Sequence, residues 1–200
     1  MGPEQRKSLA SWRRQYYAMT ANLDWNLGRL LAAIDKAGLA ENTILVFSSD
    51  HGEMFGAHGR RAKNIFYEEA ARVPLLVRWP GRVPAATVCD ASISTVDIMP
   101  TLLSLAGLEV PKDVEGMNLA HGALGRTGPE PDAAFLQNNG ACAAWRDGHE
   151  WRALRDKRYT YAIYRRDRAE RLFDNVADPY QMTDLSADPA RKATMDRFRD

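Results

Sequence analysis

The stretch Asn42-Thr-Ile-Leu-Val-Phe-Ser-Ser-Asp-His-Gly-Glu53 constrains this chain more than any other. Thr43 to Phe47 is β-branched or bulky at nearly every position, the composition of a strand buried on both faces within a parallel sheet covered by helices. In open α/β sheets the ligand crevice lies beyond the carboxyl ends of the strands, and this end carries Ser48, Ser49, Asp50 and His51. A carboxylate oxygen and an imidazole nitrogen side by side can reach one divalent ion if Gly52 lets the backbone turn sharply. On the dipeptide alone, a helix-capping Asp50 beside a surface His51 explains the same residues equally well.

The chain continues through Gly56-Ala-His-Gly59, Ala62-Lys-Asn-Ile-Phe-Tyr-Glu-Glu69 and Arg72-Val-Pro-Leu-Leu-Val-Arg-Trp-Pro-Gly81. Taken together, SSDHGE, GAHG, AKNIFYEE and RVPLLVRWPG resemble the sulfatase family of the alkaline phosphatase superfamily, four blocks in the family's order. The Asp-His form of the pair is similar to the branch holding iduronate-type sulfatases, choline-sulfatase-like enzymes and phosphonate monoester hydrolases. The resemblance implies that Asp50 and His51 are ligands of one divalent metal ion, calcium or manganese, and that Lys63 contacts the anionic group of the ester. His58 then either gives a proton or binds the anion, or else fixes its own loop. Glu53 is expected behind the ligands or as a helix-start acid. The substrate implied is a small-molecule sulfate or phosphate-type ester.

A formal charge of +1 gives no overall field that would favour nucleic acid or a membrane surface. Eight Lys or Arg and three Tyr lie between Arg152 and Arg171, but three acids interrupt them, and alternation along strands makes them a solvated face. No run of 18 apolar residues exists and the opening Met-Gly-Pro-Glu-Gln-Arg-Lys is polar, so neither a signal peptide nor a spanning helix is expected, which favours the cytoplasm. Cys89 and Cys142 are far apart in sequence and are expected as buried free thiols.

Leu9, Trp12, Tyr16, Met19, Leu23, Leu27, Leu30, Leu31 and Ile34 recur at three- and four-residue steps, predicting a long amphipathic helix from about Ser8 to Ala37 that stops at Gly38. After the motif loop, Asn64 to Ala71 favours helix, and Arg72 to Pro80 and Val88 to Ser94 favour strands. Asp97 can cap a short helix ending at Gly107. A Gly/Pro-rich stretch from Gly122 to Pro131 marks a boundary. Beyond it Ala133–Gln137, Glu150–Arg155, Arg158–Tyr164 and Glu170–Phe173 are short, β-prone and broken by turn residues, as in an antiparallel meander. A charged helix follows from about Pro189.

The expected fold is therefore α/β. Residues 1–125 form part of an alkaline-phosphatase-like helix-flanked sheet, and residues 126–200 form a small antiparallel C-terminal sheet with a terminal helix. The family's nucleophile, a formylglycine made from Cys or Ser in a C/S-x-P-x-R block, has no counterpart here: neither Val88-Cys-Asp-Ala-Ser92 nor Ala141-Cys-Ala-Ala-Trp145 matches. No carboxylate follows an apolar strand before residue 40 either. The expectation is a sulfuric ester hydrolase represented by its C-terminal portion, a fragment with half of the metal site, inactive alone and partnered by the missing N-terminal half. A phosphonate or phosphate ester hydrolase of the same superfamily, or a degenerate non-catalytic scaffold, fits the same residues.

Overall fold

The computed structural model describes residues 2–139 and 150–199. The first element is the predicted helix, α1 (Pro3–Lys36). Pro3 suits the first helical position. Gly38, at φ 68°, ends the helix by turning the chain so that the Leu39 amide reaches the Ile34 carbonyl at 3.1 Å. Of the apolar stripe, Leu9 is buried, while Met19, Leu23 and Leu30 remain largely exposed.

The Thr43–Phe47 run becomes β1 (Leu45–Ser48), which pairs only with β2 (Leu75–Arg78) among the described residues, and antiparallel, with Val46 opposite Val77. This corrects the expectation of a doubly buried parallel strand: Phe47 is 38% exposed and Leu76 is 62% exposed. An apolar run signals burial and carries no information about strand direction, and among the described residues no further layer covers the ribbon. A two-stranded ribbon alone is marginal in water. Ser48 Oγ donates to the Pro74 carbonyl at 2.9 Å, and Trp79 Nε1 to the Glu41 carbonyl at 2.8 Å, closing its two ends.

Between the strands lie the motif loop and a single helical turn, α2 (Glu68–Ala71). The predicted Val88–Ser94 strand does not form. Ile93 donates to the Ala91 carbonyl at 2.9 Å in a tight turn, Val88 is 85% exposed and Cys89 is a free, exposed thiol rather than a buried one. Cys142 lies outside the described residues. Ser94, not Asp97, starts the next helix. It caps the turn Thr95–Asp97 that leads into α3 (Ile98–Leu105), and Asp97 reaches back to the Ser94 amide at 2.7 Å while taking the Met117 amide at 2.7 Å.

After the short α4 (Ala120–Ala123), the meander forms as predicted, in the order β3 (Ala134–Asn138), β4 (Trp151–Arg155), β5 (Tyr159–Tyr164) and β6 (Glu170–Asp174), every pairing antiparallel. One face takes α5 (Lys192–Arg199) through Met195 and Phe198, with Phe198 stacked on Tyr161. The other face takes the motif loop. Met54, Ile65, Phe66 and Ala70 pack against Trp151, Ala153, Ala162, Tyr164 and Phe173 in the main core. That core crosses residue 125, where the sequence suggested a division. No helix among the described residues is long and apolar enough to cross a membrane.

Candidate metal and anion site

The chain leaves β1 through Ser49, Asp50 and His51. The Asp50 carboxylate takes the His51 amide at 3.0 Å and the Ser49 hydroxyl at 3.4 Å. Desolvation works against ionisation, but the His51 amide, the His51 ring when it carries charge and the Ser49 hydroxyl together outweigh it, so the carboxyl sits below its ordinary range. His51 Nδ1 lies 2.8 Å from the Gly52 carbonyl oxygen. A carbonyl can only accept, so Nδ1 carries the hydrogen and Nε2 of the neutral ring carries the lone pair.

That lone pair lies 3.4 Å from Asp50 Oδ2. Two electron-rich atoms at this separation repel unless a proton on Nε2 or a metal cation lies between them. Neighbouring ligands of one ion with bonds of about 2.1–2.5 Å have such a spacing. The donor chemistry fits a divalent ion: a carboxylate, and an imidazole whose other nitrogen is fixed by a carbonyl. It fills only part of a coordination shell. Among the described residues no group of three or more His, Cys, Asp or Glu converges to hold a metal.

Gly52 is required where it stands. A Cβ there would lie 1.9 Å from the Glu69 carbonyl oxygen, and the Gly52 amide donates to the Ala70 carbonyl at 2.8 Å. The loop that follows is clamped by Glu53, whose Oε1 takes the amides of Phe55 at 3.3 Å and Ala62 at 2.6 Å. Glu53 therefore starts no helix. Phe55, Gly56, His58, Gly59, Ala62 and Asn64 all have φ between 42° and 89°. Each non-glycine among them costs on the order of 1–2 kcal/mol, which the buried Met54 and Phe66 at the loop's two ends help to offset. Trp151 fastens the far end, its Nε1 donating to the Asn64 carbonyl at 3.1 Å.

Asp50 and His51 are thus brought together. Lys63 lies on the returning limb of the same loop, half-buried, with no ion pair or hydrogen bond among the described residues. Nothing ties its ammonium directly to Asp50. Arg13 of α1 donates to the Phe55 carbonyl at 3.0 Å and Arg61 sits over the Trp12 ring at 4.1 Å, so cations without carboxylate partners among the described residues lie around the loop. His58 turns to Tyr67, stacked at 3.8 Å, and to Glu69. Sequence reasoning gave Gly52 a sharp turn, whereas its φ is not positive and what excludes a side chain there is the close approach of the Glu69 carbonyl, a part of Glu69 that was not foreseen. The Glu68-Glu69 doublet carried the signal, but it reads as a pair of helix-start acids.

Comparison with known proteins places this geometry. The pattern described as "Sulfatase" matches residues 2–108, and "N-sulphoglucosamine sulphohydrolase, C-terminal" matches residues 56–200. The chain is 41% identical over 179 residues to an ulvan-active sulfatase of Formosa agariphila, covering 87% of this chain and 34% of that protein. It is 34% identical to a choline-sulfatase of Rhizobium meliloti, covering 94% and 36%. It spans about a third of the length of these curated relatives. Among solved structures, one determined in complex with its substrate D-glucosamine-2-N,6-O-disulfate superposes with a TM-score of 0.87 at 29% identity, covering 98% of this chain and 42% of that one. The phosphonate monoester hydrolase of Agrobacterium radiobacter gives 0.78 at 28% identity, covering 96% and 40%. The motif loop, the Asp50–His51 pair at the end of β1 and the C-terminal meander lie within the matched regions, and this chain is a member of the sulfatase family.

Proposed function

We propose that this chain forms part of the centre of a metal-dependent sulfuric ester hydrolase, supplying two ligands of one divalent ion and a cation for the ester's anionic group. The observation that carries this reading is the lone-pair nitrogen of His51, fixed by the Gly52 carbonyl, 3.4 Å from Asp50 Oδ2. Bound there, a divalent ion such as calcium or manganese supplies positive charge beside the ester oxygens. Asp50 stays ionised and His51 neutral to hold it. Lys63 offers a compact, unneutralised ammonium on the adjoining loop, suited to one non-bridging oxygen. Arg13 and Arg61 add positive potential that draws in anionic substrates. Sulfate carried on a carbohydrate is the favoured substrate, in line with the ulvan-active relative and the neighbour solved with a glucosamine disulfate.

The nucleophile and the remaining ligands come, in this proposal, from the rest of a sulfatase-length polypeptide docked on this chain. Its surface supports that. The chain exposes 13363 Å², whereas a compact protein of its mass exposes about 9,400 Å². Phe47, Leu76, Leu23, Trp25, Leu30 and Met99 lie among the uncovered apolar groups. The likeness to a phosphonate monoester hydrolase favours a second reading, in which the same cations hold a phosphonate ester.

The test is turnover of p-nitrophenyl sulfate and of a phosphonate monoester, with calcium or manganese. It compares the chain alone with the chain joined to the portion of a relative bearing the C/S-x-P-x-R block. Turnover is expected only in the joined form and is lost in Asp50→Ala, and the ratio of the two rates decides between sulfate and phosphonate. Metal-dependent turnover by the chain alone, or none by a folded joined form, sinks the reading.

A further inference from the structure

We infer that His58 and Glu69 act as a positioning pair that fixes the lone-pair face of His51 through Gly52. The inference rests on the half-site reading above and assigns His58 no direct part in catalysis.

His58 is held in the left-handed region, at φ 52° and ψ 24°, with only 12% of its side chain exposed. Its ring lies flat on Tyr67, the two planes 7° apart. Its Nε2 is buried without a hydrogen-bond partner. Glu69 Oε2 is buried without one as well, and the two atoms are 4.0 Å apart. Either atom left orphaned costs about 1–3 kcal/mol. An approach of about 1 Å, or one shared water, satisfies both at once. Complementary polar atoms in one buried gap therefore make a pair.

Glu69 is joined to the ligand loop by its backbone. The Glu69 carbonyl fills the space that a side chain on Gly52 would need, and the next carbonyl, of Ala70, takes the Gly52 amide at 2.8 Å. Gly52 in turn presents its own carbonyl to His51 Nδ1 at 2.8 Å. Where Glu69 sits therefore sets where Gly52 sits, and Gly52 sets the tautomer and direction of the His51 ring. A four-residue helix cannot hold itself in place. One side of α2 is anchored to the C-terminal sheet: Glu68 meets Arg155 through two bonds of 3.1 Å, and its amide donates to Gln181 at 2.8 Å. On the side of the strained loop, the anchor is the His58–Glu69 pair.

The test uses the full chain with His58→Asn, Glu69→Ala, the double variant and Glu69→Gln. Asparagine tolerates the left-handed backbone and alanine suits a helix, so both changes remove the pair with little other strain. Two quantities are read by NMR: hydrogen-exchange protection of the Gly52 amide without metal, and broadening of the His51 ring signals by manganese(II). Each single variant is expected to lose about tenfold in Gly52 protection and about tenfold in manganese affinity. The double variant should be no worse than the worse single, and Glu69→Gln, which keeps an acceptor oxygen, should recover most of both. Additive losses, or losses confined to amides 56–62 with Gly52 protection and manganese affinity unchanged, would show that His58 holds only its own loop and would overturn the inference. If Asp50→Ala leaves the manganese effect intact, the half-site reading fails, while Gly52 protection still decides the pair.

Discussion

The loop from Asp50 to Asn64 and the C-terminal sheet with α5 share one core but treat charge and backbone in opposite ways. Around the sheet, Arg155, Lys157, Arg158, Arg171, Arg197 and Arg199 each meet a carboxylate. Around the loop, Arg13, Arg61 and Lys63 form no ion pair among the described residues, and four non-glycine residues have positive φ. Most of the cations around the sheet are neutralised within the chain. The loop keeps strain and charge without carboxylate partners, features that accord with the proposed anion site.

If the two regions fold as one unit, breaking their shared core should have the largest effect. Phe66 is 1% exposed and sits edge-on to Trp151 and Tyr164, with Phe173 at 6.3 Å. Phe66→Ala should cost about 3–5 kcal/mol and shift the denaturant midpoint of both regions together. Separate transitions, followed by amide exchange in the Asp50–Asn64 loop and in the C-terminal sheet, would show instead that the two regions fold independently.

A smaller effect tests the claim that the sheet's charges are structural. The Arg199 guanidinium, then the Tyr161 hydroxyl, holds the Glu170 carboxyl down at about 2 against desolvation. Burial first, then the bond to Glu170, pushes Tyr161 up to about 12. A carboxyl depressed on folding contributes stability that is complete above its unfolded value of 4.5 and is lost as pH falls from there toward 2. A phenol raised on folding contributes below its unfolded value of 10.0, and that share is lost as pH rises toward 12. With solvent screening, Glu170→Gln should remove about 1–2 kcal/mol at pH 7 and flatten the loss of stability below pH 4.5. A variant that keeps the same acid slope would move that slope to other carboxylates.

The same contrast governs what the sequence could show. The meander was legible because alternation and turn residues are local: Glu150–Arg155 and Arg158–Tyr164 were read within a residue of the observed β4 and β5. Helix α1 was legible from its period and from Gly38. The partner of Thr43–Phe47 was not, since pairing direction depends on a strand some thirty residues away and the apolar run is the same for either direction. Val88–Ser94 is apolar enough for a strand but finds no neighbour to form a ladder with. Asp50 and His51 were visible as adjacent donors. The contact of Glu69 with Gly52 was not, because it joins residues with no local relation, and nothing in the side chains of Phe55 or Ala62 favours positive φ.

The smallest expected effect is the sharpest on the comparison. Lys63→Met removes one charge, as Arg199→Met does in the other region, from a side chain of similar length. Arg199 bonds Glu170 through two nitrogens, at 2.7 and 2.5 Å, so its loss should lower the melting temperature measurably. Lys63 has no carboxylate to lose and stands among like charges, so Lys63→Met should leave stability within about 0.5 kcal/mol of the parent, or raise it slightly. Inorganic sulfate should respond in the opposite sense: its stabilisation of the chain in thermal melts, read against chloride at equal ionic strength, should persist in Arg199→Met and shrink in Lys63→Met. If Lys63→Met proves as damaging as Arg199→Met, its charge is structural after all, and the division between a self-satisfied sheet and a loop kept for an anion does not hold.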